Sequence, residues 1–112
     1  MLEMNQERDE AEVSYRKALD IDHHCELAAN RLGMLYFARE AYPAAAEIFR
    51  HAVQLNARQE YRWNLGWSLR QAGRVEEARE AMNGIPREVQ MYTDMVMPPQ
   101  IQPEARAVAA AR

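Results

Sequence analysis

Two stretches of this chain are copies of one another, offset by 33 residues. Asn30-Arg31-Leu32-Gly33-Met34-Leu35-Tyr36 is followed by Ala45, Phe49 and Ala52. Asn64-Leu65-Gly66-Trp67-Ser68-Leu69 is followed by Gly73, Ala78 and Met82. Leu32-Gly33 falls on Leu65-Gly66, and Ala45 on Ala78. A partial third copy precedes them, since Ala11, Tyr15 and Ala18-Leu19 have the spacing of Ala45, Phe49 and Ala52-Val53. A period of this length restricts the chain to folds made by stacking one supersecondary unit on the next.

The unit is helical. Apolar residues recur at i, i+3 and i+4, and among residues 1–82 the only proline is Pro43. Gly33 and Gly66 fall in helix interiors, where glycine costs about 1 kcal/mol relative to alanine. Close approach of a neighbouring helix explains that cost, with Ala45, Ala52 and Ala78 as the small partners. Leu32, Leu35, Tyr36 and Phe49 supply the bulk. The expected helices are 2–20, 26–40, 43–55, 59–72 (stopped by Gly73) and 75–82, which Asn83-Gly84-Ile85-Pro86 ends early. Pro43 sits at a tolerated first-turn position. A further helix over 87–96 is expected to turn Val89, Tyr92 and Val96 inward as a cap, and Pro98-Pro99 breaks it.

These residues resemble the tetratricopeptide repeat, whose pattern W-x2-L-G-x2-Y then A-x3-F-x2-A runs over about 34 residues. Leu32, Gly33, Tyr36, Ala45, Phe49 and Ala52 fit it, as do Leu65, Gly66, Leu69, Gly73 and Ala78, with Trp63 one place late. The resemblance implies an all-α fold, a right-handed α-α superhelix of antiparallel helix pairs. It would hold about two and a half units plus a C-terminal capping helix. The repeat domain is expected over 1–97: partial repeat 2–25, repeats 26–58 and 59–86, and capping helix 87–97. Residues 98–112 form a Pro/Ala-rich tail. The chain departs from the family's pattern at the short helix ending at Met82.

The resemblance also implies a function: a protein-protein interaction module, adaptor or scaffold, whose first helices line a concave groove. The groove positions implied are Asn30, Arg31, Met34 and Phe37 in one repeat, with Leu27 beside them. In the next they are Trp63, Asn64, Trp67, Arg70 and Gln71, with Glu60 beside them. Trp63, Trp67 and Arg70 lie at i, i+4, i+7, a single stripe. Solvent-facing Trp opposite Met34 and Phe37 would form an apolar patch suited to a peptide, with Asn30, Arg31 and Asn64 holding its backbone or a carboxylate. A core reading of the same stripe stays open: Trp63 as the repeat's structural Trp, and Trp67 covered by a C-terminal segment folding back. The carboxylate clamp found in some such domains is not expected, because Met34 stands where that clamp needs Asn. Two alternatives share the fold: a secretion-type chaperone holding a client, and a homo-oligomeric assembly element joined through the incomplete first repeat, with a homodimer as its simplest form.

Other classes find no support in the residues. Net charge is −3 with no basic run, so no nucleic-acid surface is expected. Apolar stretches are too short for membrane insertion. No signal peptide is expected at the chain's start; its residues name no compartment, and a cytoplasmic one is slightly favoured. All but one of the 14 basic residues are Arg, which suits a GC-rich bacterial genome. Cys25 is the sole cysteine. His23-His24-Cys25 reads as a polar turn rather than a metal site, since structural zinc needs four converging ligands. Glu76, Glu77 and Glu80 read as a solvated face. No nucleophile, base and orienting acid converge. No enzyme activity, metal or cofactor is expected.

Overall fold

The computed structural model describes residues 2–86 and 94–96. Five helices follow in order: α1 (Leu2–Ile21), α2 (Glu26–Ala38), α3 (Tyr42–Leu55), α4 (Gln59–Gln71) and α5 (Val75–Met82). No strand occurs among the described residues. Each helix packs on the next in sequence, and α2 also lies beside α4. That is the connectivity of a helix-pair solenoid, in which every unit buries its apolar face against its neighbours.

The two interior glycines show why the units stack closely. A Cβ built on Gly33 would lie 2.6 Å from Cε1 of Phe49. One on Gly66 would collide with Cγ of Met82. Phe49 and Met82 are 33 residues apart, so the same knob enters the same gap in both pairs. Ala29, Ala45, Phe49 and Ala52 are fully buried, and Leu32, Leu69 and Ala78 nearly so.

Helix ends repeat as well. The Ala41 amide donates to the Tyr36 carbonyl at 2.9 Å, and the Arg74 amide to the Leu69 carbonyl at 2.8 Å. Both are the six-residue closures of a Schellman ending, which needs a left-handed residue. Gly73 supplies it in α4, with φ 85°, but Glu40 supplies it in α2, with φ 62°. This turn ends α2 at Ala38, two residues before the boundary expected from sequence. Gly84 (φ 78°) follows α5. Arg62 reaches across to that end and donates to the carbonyls of Ala81, at 3.1 Å, and Asn83, satisfying acceptors that a helix C-terminus leaves open.

The first helix docks through charge as much as through apolar packing. Arg39 holds Asp9 at 2.9 Å and Glu12 at 3.1 Å. Arg16 donates to the Tyr36 hydroxyl. The Arg39 hydrogen bond, followed by one from Tyr36, lowers the Glu12 pKa below the usual carboxylate range. Burial, followed by the Glu12 hydrogen bond, raises that of Tyr36. Tyr15 and Leu19 pack against the core, while Val13 and Ile21 stay exposed. Val13 and Ile21 thus lie on a side of α1 that has no neighbour among the described residues.

The expected capping helix over 87–97 lies largely outside the described residues, as does the 98–112 tail. Where it is described, at Asp94–Val96, the chain is turn and bend instead of helix. Val96 is buried, which agrees with the inward orientation expected of it.

Candidate functional site

The first helices of the two repeats, α2 and α4, present their shared face through a pair of asparagines. Asn30 and Asn64 are both fully buried. An unbonded amide there would cost about 1–3 kcal/mol. The Asn64 Nδ2 donates to Asn30 Oδ1 at 2.7 Å, which ties the two repeats together. The remaining donors and acceptor are met by main chain from Asp94–Val96. Asn64 Nδ2 donates to the Asp94 carbonyl at 3.0 Å, and Asn64 Oδ1 accepts the Val96 amide at 2.7 Å. One side-chain amide therefore reads a carbonyl and the N–H two residues later, as a strand partner does. Asn30 Nδ2 approaches the same Asp94 carbonyl at 3.3 Å and the Met34 sulfur at 3.7 Å.

Trp63 completes the main-chain contact. Its indole Nε1 donates to the Val96 carbonyl at 2.7 Å. Val96 thus has both its N–H and its C=O taken by α4. Side chains add a charge and two apolar anchors. Arg31 meets the Asp94 carboxylate at 2.7 Å with both groups about 40% exposed, 38% and 39%. Met95 and Val96 are buried in the main core cluster with Trp63 and Trp67. The Trp63 and Trp67 ring centroids are 5.7 Å apart and tilted by 60°. The Arg70 guanidinium stands 5.0 Å over the Trp67 ring, an attractive cation–π arrangement.

The sequence-predicted groove is brought together only in part. Asn30, Arg31, Trp63 and Asn64 all touch the 94–96 segment. The expectation of a solvent-facing tryptophan stripe is corrected: Trp63 is 5% exposed and Trp67 8%. Both rings sit in the core cluster that also includes Met95 and Val96. Trp67 Nε1 has no acceptor among the described residues. Phe37 is likewise buried, edge-on to Tyr42 at 5.1 Å, in the α2–α3 packing and not on an open patch. Met34 and Gln71 are half-buried, and Leu27 and Arg70 are exposed. Asp94 and Met95 were not among the predicted site residues. Neither carries a periodic signal, because a segment lying across helices has no helical period of its own.

The remaining candidate clusters are structural. His51 Nε2 lies 2.8 Å from the His23 carbonyl, so α3 braces the turn before α2. The His24 amide donates to Asp22 at 3.0 Å. No three His, Cys, Asp or Glu side chains converge on a common point among the described residues. Glu77 pairs with Arg74 at 3.0 Å and Arg50 at 3.4 Å on the surface. No helix among the described residues is long and apolar enough to cross a membrane.

A search of the curated proteins finds no match to the chain. Residues 27–58, nearly all of α2 and α3 with the turn after them, match the family model of the tetratricopeptide repeat. The 33-residue recurrence of helices, glycine gaps and helix endings agrees with that match, and residues 27–58 form a tetratricopeptide repeat.

Proposed function

We propose that this chain is a protein-interaction module that takes a short peptide segment of a partner along the α2–α4 face. Tetratricopeptide repeats in general mediate binding between proteins. The observation that carries the reading to this face is the main-chain recognition by Asn64, which reads Asp94 and Val96 together. Buried side-chain amides that bond a peptide backbone accept many sequences, while their neighbours select among them. The neighbours here are Arg31, a charge for an acidic residue, and the Trp63–Trp67 pair, which lines an apolar seat.

A client-holding chaperone needs a broad apolar groove open to solvent. Phe37 is buried against Tyr42 and adds nothing to the groove, so the apolar seat is confined to the Trp63–Trp67 pair and a short segment is favoured over that alternative. The test is selection of displayed random peptides on the full chain, followed by calorimetric titration of the peptides retained. Asn64→Leu keeps the branched side-chain shape and removes the backbone reader. The reading requires it to weaken the selected peptides by about tenfold or more, as loss of one or two buried hydrogen bonds should. Undiminished binding to a folded Asn64→Leu chain would place the interaction on another surface.

A further inference from the structure

The amides of Asn30 and Asn64, the Trp63 indole N–H and the Arg31 guanidinium on this face are already in use. Asp94–Val96 is held by Asn30, Asn64 and Trp63 through its main chain and by Arg31 through its carboxylate. Met95 and Val96 are 4% and 6% exposed. A surface loop of a small protein rarely buries two consecutive apolar side chains while surrendering three main-chain groups to one helix face. We infer that Asp94–Val96 is a built-in occupant of the groove, which keeps it closed to partners. The partner segment that displaces it carries the same chemistry: an acidic residue, a flexible apolar residue, then a β-branched one. This inference rests on the peptide-binding reading of the α2–α4 face.

The chemistry of each position follows from its contact. Arg31 fixes the sign of the first residue, since an acid satisfies it and a base opposes it. The second and third positions must be apolar to fill the seat that Met95 and Val96 fill. The third must also keep its N–H, because Asn64 Oδ1 has no other donor among the described residues. A proline there is excluded on that ground.

Self-occupancy makes binding in trans pay a fixed penalty, because the observed dissociation constant is the intrinsic one divided by the open fraction. A tethered segment acts at an effective concentration of about 1 mM. For an isolated segment binding at about 100 µM, the groove is open about one time in ten, so release should tighten trans binding about tenfold.

The experiment titrates a fluorescein-labelled synthetic peptide with the sequence of residues 91–99 against four forms of the full chain. These are the wild type, Val96→Pro, Asp94→Arg, and Val96→Pro combined with Asn64→Leu. Tryptophan emission and helical circular dichroism are followed on each. The expected result is about tenfold tighter binding to Val96→Pro and to Asp94→Arg than to the wild type. Their tryptophan emission should shift to the red as Trp63 loses the Val96 carbonyl, and the Asn64→Leu addition should abolish binding. A peptide with Lys in place of Asp should bind Val96→Pro more weakly and regain affinity when Arg31→Glu is added. Equal binding to wild type and Val96→Pro, still lost with Asn64→Leu, overturns self-occupancy and leaves the groove reading standing. No binding to any folded form, with emission unmoved, overturns both.

Discussion

Gly33 and Gly66 occupy the same place in two repeats, yet the side chains that enter their gaps differ in stiffness, so alanine should separate them. At both sites the substitution gains about 1 kcal/mol of helix propensity. At Gly33 the new methyl group would stand 2.6, 2.7 and 2.9 Å from three carbons of the Phe49 ring. Ordinary carbon contacts lie at about 3.5–4.0 Å. The ring must therefore retreat by about 1 Å, and it has no room, being fully buried between α2 and its neighbours. Overpacking of that kind costs about 1–3 kcal/mol or somewhat more. The net expectation for Gly33→Ala is a loss of up to about 2 kcal/mol, a fall in Tm of up to roughly 12 °C for a domain of this size. At Gly66 the obstruction is the Cγ and Sδ of Met82, which is only half-buried. Clearing Cγ takes a rotation about the first side-chain torsion, which an unbranched, half-buried thioether makes at lower cost than a fully buried ring can retreat. What then remains is the Ala78 carbonyl at 3.3 Å, so Gly66→Ala should fall within about 0.5 kcal/mol of the wild type. Urea unfolding followed at 222 nm, with the m-value held constant, measures both. A double-mutant cycle of Gly33→Ala with Phe49→Leu should recover about 1 kcal/mol by narrowing the knob. Equal losses at the two glycines, or an uncoupled Phe49, would refute the account of the glycines as gaps for the second helix.

Three further expectations are simpler. Glu40→Gly should stabilise the chain by about 0.5–1 kcal/mol in the same urea assay, because it removes a side chain from the left-handed turn that Gly73 makes without one. Trp67→Ala should lose about 3 kcal/mol or more of stability, whatever it does to binding, because the ring is 8% exposed and packed on Trp63. Glu12 has a folded pKa below its unfolded value, through Arg39 first and Tyr36 second. Its contribution is therefore present above the unfolded pKa and is lost as pH falls through the folded one. A melting series taken downward from neutral pH should show a shallower acid limb in Glu12→Gln than in the wild type.

The scaffold was legible because its signals are local and repeated. Leu-Gly followed by Ala at a fixed interval announced a helix pair, and the cost of a mid-helix glycine demanded the close neighbour that Phe49 and Met82 prove to be. Helix boundaries followed from Gly73, Pro43 and Asn83-Gly84, and the least accurate one, at Ala38, fell where glutamate makes a turn normally given to glycine. Aligning Glu40 with Gly73 at 33 residues would have found it. The site was legible in its members and not in its state. Helical spacing put Trp63, Trp67 and Arg70 in line, but a period of 3.6 residues reports which side chains share a face and is silent on what lies over it. Phe37 was misplaced for the same reason, since its cover is Tyr42 at the start of the following helix.

The paired asparagines explain why an occupant belongs on this face at all. Asn30 and Asn64 satisfy only one donor and one acceptor between themselves. Their other polar atoms are bonded by Asp94 and Val96, and by the weaker Met34 contact. An empty groove would have to hand those groups to water while uncovering the Trp63 indole, whose N–H also loses the Val96 carbonyl. The groove and its ligand are therefore linked in stability: whatever binds the folded face and not the unfolded chain raises the melting temperature, and by more the further its concentration exceeds its dissociation constant, on a logarithmic scale. The cis segment supplies that stabilisation in the free protein, and a partner must match it contact for contact. Selectivity then comes from the comparison with Asp94–Val96 and not from the absolute strength of any one contact, since a segment that lacks the acid or the apolar pair gains less from the groove than the chain's own segment surrenders.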